Sequence, residues 1–358
     1  MRAAILRQGD LVVDTVPDPV PGPGQVLVKS LACGICGSDL HAHKHGPRMV
    51  DVSRRIGGRP PMDLSRDIVF GHEFCAELLD HGPGTARKLK PGTRVCSVPI
   101  VMTAEGPRTV GYSNEFPGGF AERMVLNEAL LIEVPNGLSA EHAALTEPLA
   151  VGIHAVEKAA AKGDEVPLVI GCGPVGLAVI AALKLKNLRP IIAADFSPAR
   201  RALAERLGAD IVIDPAATSP YQAWMEKAAI DGVVPAAAVW SATPPYKPAL
   251  IFECVGVPGV LQQVFEGVPR GARIVIVGVC MEIDKIEPMF GISKELNLQF
   301  VLGYTPEEFA RALRLIAEGQ VEAQALITGK VGVEGVRDAF EQLGNPERHT
   351  KILVEPWR

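Results

Sequence analysis

One stretch of this sequence, Val166 to Leu185, constrains the fold more than any other. It joins an apolar run to the turn Gly171-Cys172-Gly173-Pro174-Val175-Gly176, and then to residues with the apolar spacing of a helix. In a strand–turn–helix unit of this kind, one glycine makes the tight turn, one lets a ligand approach the backbone and one lets the helix pack against its strand. Because the helix N-terminus offers free N–H groups to phosphate, the unit predicts a nucleotide-binding α/β domain.

The next strand supplies a carboxylate at the position that a dinucleotide requires. The predicted strand Pro190 to Ala194 leads into Asp195, 22 positions after Gly173. A carboxylate there accepts hydrogen bonds from ribose hydroxyls and repels a 2′-phosphate, so Asp195 favours NAD over NADP. Arg200 and Arg201 in the following helix weaken this preference slightly. The predicted cofactor site comprises Gly171, Gly173, Pro174, Val175, Gly176 and Asp195.

Two other interpretations of the glycine stretch are weaker. Residues Val166 to Leu183 carry no charge, which suits a membrane span by length, but glycines and a proline interrupt the run and no basic flank orients it. A glycine turn in an α/β fold that binds no nucleotide is the second alternative, and Asp195 argues against it.

The composition indicates a soluble protein from a reducing compartment. The 358 residues are 47% hydrophobic and 22% charged with a net charge of −5, which argues against nucleic acid or an anionic membrane as partner. The length suffices for two domains. Seven irregularly spaced cysteines argue against a disulfide framework and the N-terminus lacks a secretion signal, so we expect a cytoplasmic location.

A cysteine pair precedes the glycine stretch and leaves three interpretations open. The predicted strand Gln25 to Ala32 delivers the chain to Cys33-Gly34-Ile35-Cys36. A redox pair is expected near a βαβ unit, and this pair lies far from one. A structural zinc site needs a second pair, and none follows at usable spacing. The third interpretation uses one cysteine as a catalytic metal ligand, and spacing alone cannot select it.

Suitable partners for such a ligand occur later in the chain. His72 and Glu73 follow the apolar run Ile68 to Phe70, and Glu147 lies in a helical segment that Ser139 can cap. Catalytic zinc typically takes three protein ligands from Cys, His and Asp or Glu, and leaves a fourth position for water or substrate. One thiolate, one imidazole and one carboxylate would meet this requirement.

Five motifs occur in the order found in one enzyme family. They are Cys36-Gly-Ser38-Asp39-x-His41, Gly71-His72-Glu73, Gly118-Gly119-Phe120-Ala121-Glu122, Glu147-Pro148-Leu149-Ala150 and Gly171-x-Gly-Pro-x-Gly176. They span nearly the whole chain, which resembles the zinc-dependent medium-chain alcohol dehydrogenases, most of all their sorbitol and threonine dehydrogenase branch. The resemblance implies an α/β fold with a Rossmann doubly wound parallel sheet and a mostly β, GroES-like catalytic domain. It implies a zinc-binding catalytic domain over 1–152, an NAD-binding domain over 153–296, and a last Rossmann strand with a return to the first domain over 297–358.

The resemblance also assigns roles to individual residues. Cys36, not Cys33, and His72 match the zinc ligands, and relatives complete the shell with the carboxylate matching Glu73, the one matching Glu147, or water. Two assignments concern proton transfer: Ser38 matches the hydroxyl that touches the substrate oxygen, and His41 matches the outer end of the proton relay. Asp39 matches a carboxylate that orients a ligand imidazole. Arg200 matches a residue that lies beside the adenine of the cofactor.

The chain departs from the family pattern in one respect. Many members carry a structural zinc held by four cysteines just after the catalytic motifs, whereas Cys96 to Phe120 contains only Cys96. We therefore predict one zinc per chain. His41, His43 and His45 are interpreted as a solvated loop in which only His41 has a role, and Arg48 to Arg66 as a surface loop.

Four further segments are predicted in the second half. Asp231 to Ala249 is longer than usual connections and is interpreted as an insertion that packs on the body or on another subunit. Leu298 to Gly303 is the last strand of the sheet, an edge that relatives pair across a dimer interface, so we expect a homodimer or homotetramer. A helix runs from Thr305 to about Glu318, and Lys351 to Glu355 is the final strand.

The resemblance implies reversible, NAD-dependent oxidation of a secondary alcohol, polyol or hydroxy amino acid. Zinc would supply Lewis acidity, and Ser38 and His41 would carry the released proton to solvent. The alternatives are a zinc-free NADPH quinone reductase of the same superfamily and a dinucleotide-binding protein without turnover. The sequence does not select the physiological alcohol.

Overall fold

The structure, a computed structural model, describes residues 1–58, 60–231 and 245–358. These residues form two compact units, one made of Met1–Pro148 and Pro306–Arg358, the other of Leu149–Thr305. Most of the insertion predicted over Asp231 to Ala249 lies outside the described residues, so its packing stays a prediction.

The helices and strands of the described chain follow one another in this order. The first are β1 (Arg2–Arg7), β2 (Asp10–Thr15), β3 (Gln25–Gly34), α1 (Gly37–Arg55), β4 (Glu73–His81), β5 (Arg94–Ser97), β6 (Ile100–Thr103), β7 (Gly106–Thr109), β8 (Arg123–Asn127), β9 (Leu131–Glu133), α2 (Ala140–Ala143) and α3 (Thr146–Lys158). There follow β10 (Val166–Ile170), α4 (Pro174–Leu185), β11 (Ile192–Ala194), α5 (Pro198–Leu207), β12 (Ile211–Ile213), α6 (Pro220–Ala228), β13 (Ala249–Glu253), α7 (Val260–Gly267), β14 (Arg273–Ile276), α8 (Pro288–Lys294) and β15 (Asn297–Phe300). The last are α9 (Pro306–Ala317), β16 (Ile327–Val331), α10 (Val336–Leu343) and β17 (Lys351–Val354).

The first unit is built on a mixed sheet. Among the described residues its strands lie in the order β16-β17-β3-β4-β5-β9, with β8 also paired to β3. The long strand β3 pairs antiparallel with β4, β8 and β17, so three distant parts of the chain meet along it. A buried apolar cluster that includes Val28, Phe70 and Phe120 packs against these strands. This unit is the mostly β, GroES-like part of the predicted fold.

The second unit is a parallel sheet with the strand order of a dinucleotide-binding fold. In the described residues the order is β12-β11-β10-β13-β14-β15, and each neighbouring pair is parallel. Strand β10 has its first four residues fully buried, as expected of a central parallel strand covered on both faces. Ser197 caps α5 by accepting a hydrogen bond from the Arg200 N–H, and Pro198 opens the helix. The doubly wound α/β prediction is therefore confirmed.

The segment after Cys36 differs from the sequence-based expectation. It forms helix α1, which extends to Arg55, so the three-histidine segment and Arg48 to Arg55 are helical and the prediction of loops was wrong there. Non-helical torsions at His45 kink the helix just before Pro47. Pro47 lies inside the helix and goes with a bend rather than with the end of the helix. His43 is not simply solvated, since its Nε2 lies 3.0 Å from the Gly9 carbonyl oxygen.

Two smaller points concern helices. Ser139 caps α2, a separate short helix, and Glu147 belongs to the first turn of α3, so Ser139 does not cap the helix that carries Glu147. In the described residues no helix has the length and apolarity needed to cross a membrane, and the uncharged run from Val166 is divided between β10 and α4.

Candidate active site

The first candidate ligand, Cys36, is fixed by the start of α1. Cys36 is the N-cap residue, and its backbone N–H donates to Oδ2 of Asp39 at 2.9 Å in a capping-box arrangement. Strand β3 ends two residues earlier at Gly34, so Cys36 is held between a sheet strand and a helix N-terminus. Asp39 has no solvent exposure. The local sequence thus places a thiol and a buried carboxylate together.

The second and third candidates, His72 and Glu73, lie at the start of β4. Gly71 precedes them with a φ of +105°, a conformation that favours glycine. Glu73 is paired with Gly34 in the β3–β4 register, and a Cβ at Gly34 would collide with Glu73 Oε2. Gly34 is therefore required for this carboxylate to lie inside the sheet.

The three candidates form a compact cluster. One ligand atom each from Cys36, His72 and Glu73 lies within 4.8 Å of the other two. Thiolate, imidazole and carboxylate are a donor set that zinc accepts, so these residues fit a zinc ion. Cys33 and Glu147 are outside the cluster. Cys33 is buried with its Sγ 3.6 Å from the Gly34 carbonyl oxygen, and Glu147 is buried in α3.

Asp39 connects the cluster to its surroundings. Its Oδ1 lies 3.3 Å from His72 Nδ1, with an angle outside that of a regular hydrogen bond, and accepts from the Tyr112 hydroxyl at 3.0 Å. Burial alone would lower the pKa of His72, but Asp39 and Cys36 outweigh it and raise that pKa well above its usual value. Burial and the nearby Glu73 carboxylate raise the pKa of Cys36. A metal ion reverses this for a coordinating thiol, which loses its proton on binding.

A lysine from the last strand completes the buried charges. Lys351 Nζ donates to both carboxylate oxygens of Glu73 at 2.7 Å and to the Ile35 carbonyl oxygen at 3.0 Å. Its side chain is 1% exposed. Burial would lower the pKa of Lys351, but the charges of Glu73 and Cys36 outweigh it and raise the pKa. Glu147 adds a smaller effect of the same sign.

Ser38 and His41 lie on α1 beside this cluster. Ser38, in the first turn, has its Oγ 2.9 Å from the Tyr112 hydroxyl. His41, one turn later, is half-buried, and its ring centroid lies 6.3 Å from that of His45. Helical spacing thus places both candidate relay residues near the helix N-terminus, whereas the sequence analysis had assigned His41 to a loop.

The second unit carries the predicted cofactor residues at the carboxyl ends of its strands. Gly171 has a φ of +90°, and a Cβ at Gly176 would collide with the Gly171 carbonyl oxygen. Gly173 is the N-cap of α4 and has open space where a Cβ would point, which a phosphate group can use. Pro174 is the first helical residue and Val175 follows it half-buried. The geometry fits a dinucleotide.

Asp195 links the glycine turn to the next helix. Its Oδ2 accepts from the Cys172 N–H and its Oδ1 from the Ser197 N–H, both at 2.8 Å. Arg200 Nη1 lies 4.0 Å from Oδ2, and Arg201 donates to the Asp195 carbonyl oxygen at 2.7 Å. Hydrogen bonds from the protein therefore hold Asp195 in place. Arg200 lies near its carboxylate, and Arg201 binds its carbonyl oxygen.

Comparison with known proteins identifies the family of this chain. Residues 22–136 match the alcohol dehydrogenase GroES-like domain, and residues 174–318 match the zinc-binding dehydrogenase family. The (R,R)-butanediol dehydrogenase of Bacillus subtilis is 33% identical over 98% of this chain and 98% of that protein. The chain belongs to the zinc-dependent medium-chain dehydrogenase family. The resemblance inferred from the five motifs is confirmed.

Other members of this dehydrogenase family are similar over most of their length. The sorbitol dehydrogenase of Bos taurus is 28% identical over 93% of this chain and 90% of that protein. The crystal structure of 2R,3R-butanediol dehydrogenase from Bacillus subtilis matches with a TM-score of 0.79 and 30% identity over 99% of both chains. The structure of a putative zinc-binding dehydrogenase from Sinorhizobium meliloti bound to NADP has a TM-score of 0.79 and 27% identity, again over 99% of both.

Three buried polar residues of this dehydrogenase were not found by the sequence analysis. Tyr112 and Lys351 contact the cluster, and Glu253, at the end of β13, accepts from the Val255 and Gly256 N–H groups at 2.7 and 2.9 Å. Lys351 begins one strand of apolar residues and Glu253 ends another, and a buried charged residue in such a position needs a partner. That pattern was a usable signal. For Tyr112 the sequence offered none.

Proposed function

We propose that this member of the family is a zinc-dependent dehydrogenase that oxidises a secondary alcohol, polyol or hydroxy amino acid with NAD, reversibly. The cluster of Cys36, His72 and Glu73 beside Ser38 and Asp39 carries the proposal. Relatives named butanediol and sorbitol dehydrogenases support a diol or polyol as substrate. Residues 1–152 would form the catalytic domain and 153–296 the NAD-binding domain.

The chemistry divides between bound groups and protein. When bound, zinc supplies Lewis acidity at the alcohol oxygen and NAD accepts the hydride. Cys36 and His72 would hold the metal, and Glu73, Glu147 or water would complete its shell. Asp39 Oδ1 lies 3.3 Å from Nδ1 of His72, so Nε2 would be the nitrogen available to the metal. Ser38 takes the proton of the alcohol, and His41 passes a proton to solvent.

An activity panel tests this proposal. Purified protein is mixed with zinc, a set of alcohols, diols and polyols, and either NAD or NADP, and absorbance of the reduced cofactor is followed. We expect oxidation of at least one diol or polyol, and a Cys36→Ser variant that binds NAD but turns over at least about 100-fold more slowly. Activity of the wild-type protein that persists after complete metal removal would favour the zinc-free reductase. Dinucleotide binding without turnover would favour the non-catalytic alternative.

The preference for NAD rests on Asp195. Its carboxylate would accept from the adenosine ribose and repel a 2′-phosphate, while Arg200 would lie beside the adenine. The NADP-bound relative from Sinorhizobium meliloti makes this a question for measurement. We expect Asp195→Ala to reduce the ratio of kcat/KM for NAD to that for NADP by about 10- to 100-fold, the equivalent of one charged hydrogen bond. Because a ratio of two kcat/KM values is compared, damage to the glycine turn that lowers both values equally cancels. An unchanged ratio would remove Asp195 from cofactor selection.

An exposed edge of the second unit supports a homodimer or homotetramer. Strand β15 is the edge of its sheet among the described residues, and Phe300 and Leu302 are 66% and 87% exposed. On α8, Met289 and Ile292 are also exposed. Unpaired edges with large apolar side chains readily pair with another strand. Light scattering should give an oligomer for the wild-type chain and a smaller mass for Phe300→Asp.

The seven free cysteines favour a reducing compartment, so we propose a cytoplasmic location.

A further inference from the structure

The Tyr112 hydroxyl lies between two residues of the candidate active site. It is 2.9 Å from Ser38 Oγ and 3.0 Å from Asp39 Oδ1. The tyrosine side chain is buried, and its ring centroid lies 5.1 Å from that of His72 and 5.7 Å from that of Phe70. The ring is therefore held between aromatic neighbours, and its hydroxyl has a fixed position relative to α1.

Tyr112 comes from the segment in which many relatives are expected to bind a structural zinc. Here that segment contains the hairpin of β6 and β7 and a single cysteine, Cys96. Phe116 N–H donates to the Ser113 hydroxyl at 3.0 Å, and Gly111 N–H donates to the Phe116 carbonyl oxygen at 3.1 Å. The turn after Tyr112 is thus closed by its own hydrogen bonds. Local packing is sufficient to present the tyrosine to α1.

The Tyr112 hydroxyl holds the Ser38 oxygen in a defined position. Tyr112 has one proton, and Asp39 Oδ1, as a carboxylate oxygen, accepts it at 3.0 Å. Ser38 Oγ lies 2.9 Å from the same tyrosine oxygen, so the serine hydroxyl has the tyrosine as a hydrogen-bond partner. A hydroxyl both accepts and donates, so a serine whose oxygen is held in place can take a proton from one neighbour and pass its own to another, as a proton relay requires.

We propose that Tyr112 is a positioning residue for proton transfer, acting through Ser38. This inference rests on the proposed function. In the proposed reaction, bound NAD would accept the hydride from the alcohol carbon, while the alcohol O–H would give its proton to Ser38, which would release its own proton toward His41. Tyr112 takes no proton in this sequence. It keeps the serine oxygen oriented and satisfies the carboxylate oxygen that faces His72 Nδ1.

The test is a double-mutant cycle on turnover with Tyr112→Phe and Ser38→Ala. Phenylalanine retains the ring contacts with His72 and Phe70 and removes only the hydroxyl. We expect Tyr112→Phe to lower kcat by about 10-fold or more, with the KM for NAD unchanged and an altered solvent deuterium isotope effect on kcat. In the Ser38→Ala background the same substitution should change kcat by less than about 2-fold, because a residue that acts through Ser38 loses its effect without it.

Two controls separate this role from damage to the site. Zinc affinity of Tyr112→Phe, measured by competition with a chelator, should stay within about 3-fold of wild type, since loss of an outer partner that positions the metal costs about 10- to 100-fold. Tyr221→Phe removes a tyrosine hydroxyl from the second unit, where the ring lies beside Gly267, and should leave kcat unchanged. An unchanged kcat in Tyr112→Phe, additive effects of the two substitutions, or a large loss of zinc affinity would each overturn the inference while wild-type activity stands. A wild-type protein inactive with every alcohol would overturn the proposed function and this inference with it.

Discussion

Replacing Lys351 with methionine should remove much of the stability of the first unit. The lysine ammonium is 1% exposed and donates to Glu73 Oε1, Glu73 Oε2 and the Ile35 carbonyl oxygen. Methionine has a similar length and no charge. The substitution therefore leaves a carboxylate and a carbonyl group without their donor in the interior of the sheet.

The magnitude follows from the burial of the pair. The side chains of Lys351 and Glu73 are each 1% exposed, so water cannot replace the lost ammonium as a hydrogen-bond donor. Breaking a buried ion pair by removing one partner costs about 3–5 kcal/mol. We therefore expect a loss of about 3–5 kcal/mol at pH 7.

The measurement must report on the first unit alone. Native-state hydrogen exchange of peptides from β3 and β17, read by mass spectrometry, gives the free energy of opening for the sheet that contains Lys351. A chelator is present so that metal cannot bind the released carboxylate. The control is Lys351→Met combined with Glu73→Met, which removes both charges and should recover most of the loss.

Two results would refute this reasoning. A loss below about 1 kcal/mol for Lys351→Met would mean that the pair contributes no more than an exposed one. A double variant as unstable as the sum of the two single variants would mean that the side chains act independently.

Three further predictions follow. The ion pair with Lys330 holds the pKa of Glu141 down at about 2 against 4.5 for a free glutamate, so its stabilisation is complete above about pH 5 and is lost as the pH falls through 4.5 toward 2. Glu141→Gln should thus cost about 1 kcal/mol at pH 7, discounted for partial exposure, and visibly less at pH 4 in urea unfolding; an equal cost at both would contradict the pairing. Mass spectrometry should find Cys280, an exposed thiol, alkylated first by iodoacetamide, and not a buried cysteine. Zinc binding at pH 7 should release up to two protons, from Cys36 and His72, whose pKa values are raised; calorimetry that shows the same heat in buffers of different ionisation enthalpy would contradict this.

The second unit was predicted from sequence because its signals are local. The strands predicted over Pro190 to Ala194 and Leu298 to Gly303 were each recognised to within a few residues, as β11 and β15, since turn residues or caps follow them. The family, the fold class and the general activity were also predicted correctly from ordered motifs. Which residues form the site stays a prediction, although the structure brings Cys36, His72 and Glu73 together.

The first unit was harder to predict because its features are long-range or ambiguous. Much of helix α1 was taken for a loop because the sequence from Arg48 to Arg66 is rich in proline, glycine and arginine. The apolar residues Ala42 and Val50, on either side of the bend, are nevertheless buried and keep the bent helix on the core. Lys351 meets Glu73 across 278 positions, a contact that no sequence window can show.

Two of the residues that sequence reasoning missed, Lys351 and Tyr112, explain how this site tolerates its charge. Asp39 and Glu73 are two buried carboxylates beside a thiol, a combination that is unfavourable without compensation. Lys351 offsets Glu73, and Tyr112 with the Cys36 N–H gives Asp39 hydrogen bonds without charge. With Cys36 as thiolate, the Lys351 ammonium lies among three anions, which are the thiolate and the carboxylates of Asp39 and Glu73. A divalent cation would bring the net charge of these four groups to zero. Burial and the charge of Glu73 raise the pKa of Cys36, and the charges of Asp39 and Cys36 raise the pKa of His72 against the effect of burial. Both residues therefore hold a proton more readily when no metal is bound. Metal affinity should therefore depend on Lys351, which does not touch the metal but sets how much negative charge remains for it.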